Sequence, residues 1–270
     1  MATADAATEN TADEALVLRR DADGVARLTL NRPRAYNALS MDLMQALIDA
    51  LDAIGADRDV KAVILSGAGK GFCAGHDLKE LRANSSRPFF ERTFEMCSQL
   101  MLRLVGLPQP VIAEVHGIAT AAGCQLVATC DLAVAADDVR FATPGVNIGL
   151  FCSTPMVALT RAVGRKQAME MLLLGEMVPA ARAVEIGLIN RSVPAAALQA
   201  EAEALAAKIV GKSPLVIKTG KEAFYRQIDR TLEDAYAYTA QVMTENMLAR
   251  DAEEGIDAFI EKRPPTWTGQ

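Results

Sequence analysis

Gly71-Phe72-Cys73-Ala74-Gly75-His76-Asp77-Leu78-Lys79-Glu80 and Gly117-Ile118-Ala119-Thr120-Ala121-Ala122-Gly123-Cys124-Gln125 are two glycine-containing turns of one kind. Each follows an apolar β-type run, residues 62–65 and 111–115, and each leads into a stretch able to start a helix. Small residues at a strand-to-helix turn let a ligand approach the backbone, and a helix start leaves N–H groups without intrahelical partners. Two such groups converging on one carbonyl oxygen would stabilise negative charge developing there, which is the arrangement of an oxyanion hole.

Outward from these turns the chain reads as repeated strand–helix units. Residues 16–19 and 25–30 alternate as strands about Asp21-Ala22-Asp23-Gly24, which predicts a hairpin. Ser40 is a good N-cap, and Leu43, Met44, Leu47, Ile48, Leu51 and Ile54 recur at the three/four spacing of one buried helix face. Strand, glycine turn and helix follow in segments 61–104 and 110–130, so the fold class expected is α/β with stacked units. From about Thr154 the pattern is almost wholly helical, with residues 188–193 as the one strand expected there. Segment 196–262 has no strand candidate, and its Phe224, Tyr225, Tyr236, Tyr238, Met243 and Met247 call for burial against the core or another subunit.

Composition limits the function classes. The chain has 270 residues, 51 % apolar and 23 % charged, the balance of an ordinary globular protein. A formal net charge of −6 argues against a general binder of nucleic acid or anionic membrane, while leaving room for a local basic site for a phosphorylated ligand. No apolar run reaches the roughly 20 residues of a membrane span. Cys73, Cys97, Cys124, Cys130 and Cys152 form neither a C-x-x-C pair nor a disulfide framework, so reduced thiols in a cytoplasmic setting are expected. With His76 and His116 as the only histidines, no His-based metal site is expected. The first 14 residues carry Asp5, Glu9, Asp13 and Glu14 but no Arg or Lys, which reads as a flexible leader rather than a signal or transit peptide.

Several motifs occur in a fixed order: Leu30-Asn31-Arg32-Pro33 with Asn37-Ala38-Leu39, the Phe72 to Glu80 segment, Pro110-Val111-Ile112-Ala113 with Gly117, Cys130-Asp131-Leu132, and Glu261-Lys262-Arg263. In that order they resemble the crotonase (enoyl-CoA hydratase/isomerase) superfamily over residues 25–263. The resemblance implies a spiral of ββα turns over 15–195 and a C-terminal helical region over 196–270 that assembles trimers, often paired into hexamers. It implies lyase- or isomerase-type chemistry on a fatty acyl-CoA thioester, with coenzyme A arriving as part of the ligand and no permanently bound cofactor. The oxyanion donors implied are the main-chain N–H groups of His76 and Ala122, Ala122 standing where the family usually has glycine. Arg34, Ala35, Tyr36, Ala74, Asp77, Leu78, Lys79 and Gly123 fall on the positions that line the coenzyme A site. Phe259 and Lys262 fall at its nucleotide end, across a subunit boundary, where a cation suits the phosphates.

Two positions depart from the family pattern. Where hydratases of this family carry two glutamates, this chain has Gln125 and Gly145. Neither exchanges a proton near neutral pH. Positioned acid–base groups are each worth ~10²–10⁴, so water addition is expected to be weak or absent. Asp131, Asp77 and Glu80 are the nearest acids, each read first as a helix cap or a solvated helix start. A Cys152–His76 nucleophile pair and an anion or water recruited beside Gly145, as in related synthases, stay open as alternatives, and so does proton transfer by the His76 ring. A non-catalytic acyl-CoA binder is the competing functional reading. His116 reads as a satisfied core or turn residue, and Gly67-Ala68-Gly69-Lys70-Gly71 as a turn without phosphate-loop spacing.

Overall fold

The structure, a computed structural model, describes residues 15–270, so the leader expected over 1–14 lies outside the described residues. Strands β1 (Val17–Ala22) and β2 (Val25–Leu30) pair antiparallel as the expected hairpin. Their two-residue turn, Asp23-Gly24, has φ of 52° and 77°, the positive angles that match the twist of the flanking strands. Helix α1 (Met41–Gly55) starts where Ser40 Oγ accepts the N–H of Leu43 at 3.2 Å, and it buries the six apolar residues anticipated.

Two spiral turns follow, each contributing a strand to each of two sheets. The first is β3 (Ala62–Gly67), β4 (Gly71–Cys73), α2 (Leu78–Ala83) and α3 (Arg87–Gly106). The second is β5 (Val111–Val115), β6 (Ile118–Thr120) and α4 (Ala122–Thr129). A third pair, β7 (Leu132–Ala136) and β8 (Arg140–Ala142), leads to α5 (Pro155–Ala162), α6 (Arg165–Leu174), β9 (Val178–Pro179), α7 (Ala180–Glu185) and β10 (Arg191–Val193). The larger sheet runs β1-β2-β3-β5-β7-β10 and the smaller β4-β6-β8-β9. Beyond the β1–β2 hairpin the large sheet is parallel, and every residue of β5 is buried, as expected for strands covered on both faces.

The strand expected over 188–193 is shorter, because Gly187 turns at φ +84° and the N–H groups of Leu188 and Ile189 both close onto the Ala183 carbonyl. The two-residue β9 was not anticipated. It is held by pairing with β8, a long-range contact without a local pattern.

Helices α8 (Leu198–Val210), α9 (Pro214–Gln227), α10 (Leu232–Met247) and α11 (Arg250–Glu261) complete the chain without a strand among the described residues. Helix α8 lays Leu198, Ala202, Leu205 and Ala206 into the core. Helix α9 is fastened by a buried cluster. Lys221 Nζ donates to the carbonyls of Leu104 and Gln109 and to Asp131 Oδ2 at 2.6 Å, Tyr225 donates to Asp131 Oδ1, and the N–H of Val111 donates to Asp131 Oδ2. Asp131 is therefore not the helix cap or solvated acid expected; a cation from 90 residues away in the chain reaches it. Within one chain Tyr225 is docked by this bond, whereas Phe224, Tyr236, Met243 and Met247 stay at least half exposed.

Candidate active site

The two glycine turns lie side by side because β4 and β6 pair in parallel, Gly71 opposite Ile118 and Cys73 opposite Ala119. Contact between them is close. A Cβ on Gly123 would stand 2.0 Å from the Cys73 carbonyl oxygen, and one on Gly75, itself at φ +98°, would stand 2.8 Å from the Ala121 Cβ. Ala121 adopts φ 50° and ψ −118°, a backbone region that disfavours residues with a Cβ, and is held there by its N–H bond to the Ala142 carbonyl at 2.9 Å. Thr120 Oγ1 donates to the Ala74 carbonyl at 3.1 Å, which ties the turns across the gap.

Most main-chain donors of the first turn are engaged: Ala74 N–H by the Tyr36 carbonyl at 3.0 Å and Asp77 N–H by the Leu39 carbonyl at 3.1 Å. The N–H groups of His76 and Ala122 have no acceptor among the described residues. Both residues line a cavity of about 530 Å³, together with Ala74, Leu78, Gly145 and Cys152.

Asn37 positions the first turn from beneath. Its fully buried amide donates to the carbonyls of Ala68, Gly71 and Phe72, and its Oδ1 accepts the Arg32 N–H. Asp77 caps α2 through the N–H groups of Lys79 and Glu80 and pairs with Arg32 at 2.9 Å. Burial opposes its charge, but Arg32 and the two N–H groups outweigh that and hold the carboxyl below its ordinary range. Glu80 accepts the N–H of Met41 at the start of α1. Both acids are thus structural, as read from the sequence.

His76 presents an imidazole whose Nε2 is buried without a hydrogen-bond partner, its ring edge-on to Phe94 at 5.3 Å. Burial pushes its pKa down to about 4 from an ordinary 6.5. Between those values the unfolded chain binds a proton that the folded one refuses, so stability rises with pH across that window and is lost on acidification from about pH 6.5 to about 4, by up to ~3 kcal/mol. In urea unfolding compared at about pH 7 and about pH 4.5, a His76→Gln chain is expected to lose less stability than the parent. Equal losses would mean that the ring is solvated.

Of the two positions where the family pattern places glutamates, only Gly145 faces this cavity. A Cβ there would meet the Leu150 carbonyl oxygen at 2.8 Å and Cys152 Sγ at 3.0 Å, so the 145–152 loop is built around the missing side chain. Gln125 is 5 % exposed, accepts the Cys97 thiol at 3.8 Å, and lines a second cavity of about 510 Å³ beside α3, α4, α5 and α9. No hydrogen bond joins Cys152 to His76 among the described residues, and burial raises the Cys152 pKa, so the thiol lacks the activation a nucleophile pair requires.

Other expected ligand residues are scattered. Arg34 and Ala35 occupy a 3-10 turn (Pro33–Ala35), Tyr36 follows at φ 49°, and Lys79 is exposed on α2. Gly123, buried in the first turn of α4, packs against the Cys73 carbonyl of β4. Phe259, 84 % exposed, lines a separate apolar groove with Met243, Met247 and Trp267, and Lys262 ends α11 in a left-handed conformation. Neither borders the cavity within one chain. Phe94, Ile148, Leu150 and Phe151 line it without having been singled out; the loop apolars Ile148, Leu150 and Phe151 are the signal that was available. His116 donates from Nε2 to the Gly69 carbonyl, 3.0 Å away, as a turn residue.

Comparison with known proteins agrees with this geometry. The family model described as enoyl-CoA hydratase/isomerase matches residues 20–270. A Xenopus laevis protein, enoyl-CoA hydratase domain-containing protein 3, mitochondrial, is 47 % identical over 94 % of this chain and 86 % of its own length. Its Homo sapiens counterpart is 47 % identical over 92 % of this chain and 82 % of its own. The crystal structure of an enoyl-CoA hydratase from Mycobacterium smegmatis superposes with a TM-score of 0.92 at 55 % identity, over 94 % of this chain and 99 % of that one, which makes the fold a crotonase spiral. The mitochondrial relatives overturn the cytoplasmic expectation. Unpaired cysteines argue for a reducing environment, and that property does not single out one compartment.

Proposed function

The chain belongs to the enoyl-CoA hydratase/isomerase family, and from that premise we propose that it binds an acyl-CoA thioester with the carbonyl oxygen between the N–H groups of His76 and Ala122. The observation that carries the reading is the pair of unengaged donors on one cavity. Each donor aimed at a developing enolate oxygen is worth ~10²–10³ in rate. Arg34, Tyr36 and Lys79 are proposed to contact the coenzyme, and Phe259 and Lys262 to reach it from a neighbouring subunit of a trimer or dimer of trimers, which would also cover Tyr236, Met243 and Met247. The reaction proposed is of the enolate type, such as isomerisation or proton exchange, with water addition weak.

A second reading, a non-catalytic acyl-CoA binder, is favoured by one observation: no carboxylate among the described residues lines the cavity. The two separate when the protein is mixed with crotonyl-CoA and a set of 3-enoyl- and β-ketoacyl thioesters in deuterated water. Turnover, or exchange of the protons next to the carbonyl, is expected for the enzyme. Thermal stabilisation alone, by ~2.7 kcal/mol at a hundredfold excess over Kd, marks the binder. Rapid hydration of crotonyl-CoA would contradict the weight given to Gln125 and Gly145.

A further inference from the structure

We propose, resting on the acyl-thioester reading above, that the imidazole of His76 is the catalytic group that exchanges the proton on the carbon beside the thioester carbonyl. Two titratable side chains line the cavity, His76 and Cys152. The carboxylates nearest in sequence are engaged elsewhere: Asp77 by Arg32 and the start of α2, Glu80 by the start of α1, and Asp131 by Lys221 and Tyr225. The Cys152 thiol, raised by burial, offers little thiolate.

The ring itself is unusual for a packing residue. Buried polar atoms normally find a hydrogen-bond partner, and a histidine kept only for packing would gain by having one. Here Nε2 has neither a partner among the described residues nor surface open to the cavity, and the edge-on contact with Phe94 at 5.3 Å fixes the ring's orientation, which leaves Nδ1, the ring nitrogen not closed off in this way, to meet a substrate. The placement follows from covalent connectivity. If the main-chain N–H of His76 holds the carbonyl oxygen, only Cα and Cβ separate that donor from the ring, and the acidic C–H of the substrate lies one bond beyond the carbonyl carbon.

Burial supports the assignment from the side of basicity. With its pKa pushed down to about 4, the ring is neutral at physiological pH and has a proton affinity close to that of a glutamate carboxylate. A base of that strength is what the family's missing side chains would have supplied. In the step, Nδ1 takes the proton and the C–H pair becomes the C=C of the enolate. The carbonyl π pair moves to oxygen, where the two N–H groups hold it. The imidazolium formed is stabilised by the adjacent oxyanion. Exchange is complete when the imidazolium trades its proton for a solvent deuteron and returns that deuteron to the same carbon; delivery of the proton to the γ-carbon of a 3-enoyl substrate's dienolate completes isomerisation. Solvent water is the only other reactant.

The test uses the full chain, its His76→Gln and His76→Ala variants, and butanoyl-CoA as probe, with binding followed by calorimetry and α-proton exchange by NMR in deuterated water. Both variants keep the main-chain N–H, so affinity is expected to stay within about threefold while exchange falls ~10²–10⁴-fold, and added imidazole is expected to restore part of it in His76→Ala. Retained affinity also reports that the variants fold. Parental exchange rates in both variants, or parental binding without any exchange, would overturn the assignment and leave the acyl-CoA reading intact. Failure of the parent chain to bind butanoyl-CoA would overturn that underlying reading instead.

Discussion

An Ala122→Pro chain is expected to lose acyl-CoA α-proton exchange by at least ~10²–10³-fold, because proline deletes one of the two N–H groups on the cavity and places a ring carbon where the hydrogen was. The substitution is informative because Ala122 is the first residue of α4, the helical position that tolerates proline best, and its N–H serves no protein acceptor among the described residues. The preceding Ala121 is already outside the right-handed helical region, which a residue before proline also avoids. Its unusual angles make a melting curve the necessary companion measurement. Ala122→Gly is the control: it restores the residue usual in the family, keeps the N–H, and is expected to retain exchange. If Ala122→Pro melts like the parent and still exchanges at the parental rate, the N–H of residue 122 does not hold the oxygen.

Replacing Lys221 by methionine is expected to destabilise the chain by ~3–5 kcal/mol, measured as the shift of the urea midpoint at fixed protein concentration. The ammonium group is 6 % exposed on its side chain and faces the Asp131 carboxylate and two carbonyls. Burial lowers the Lys221 pKa and Asp131 opposes that shift, so the charged pair persists only while both members are present. Without the lysine, Asp131 is left as a part-buried carboxylate with only Tyr225 and the Val111 N–H as donors among the described residues. The cost should fall mainly on the docking of α9. An Asp131→Asn, Lys221→Met double variant is expected to lose less than the sum of the single changes. A loss below about 1 kcal/mol for Lys221→Met would show that water reaches the pair and screens it.

Much of the scaffold was legible because its signals are local. The Asp23-Gly24 turn, the Ser40 cap and the spacing of the apolar face from Leu43 to Ile54 need nothing beyond their neighbours, and each appears as read. Local patterns also found the two glycine turns, since strand-then-small-residue is written within ten residues. What local patterns misjudged was anything whose partner is distant. Asp131 looked like a helix terminus because Lys221 cannot be paired with it by inspection. That Gln125 and Gly145 border different cavities within one chain, the second sharing its cavity with His76, was likewise not written in any local pattern. The close approach that Gly123 permits, its missing Cβ leaving room for the Cys73 carbonyl on β4, likewise depends on a strand far away in the chain.

By itself the amino-acid order determined the family, the β1–β2 hairpin, α1, and which residues supply the two turns, because capping, periodicity and turn preferences act over a few residues. Only the folded chain decided that His76 and Ala122 line one cavity, that the nearest carboxylates are engaged elsewhere, and that His76 Nε2 is buried without a partner among the described residues. Those facts depend on parallel pairing and helix docking between segments far apart in the chain. Burial and the removal of water that follow from such contacts exist only once the packing is complete.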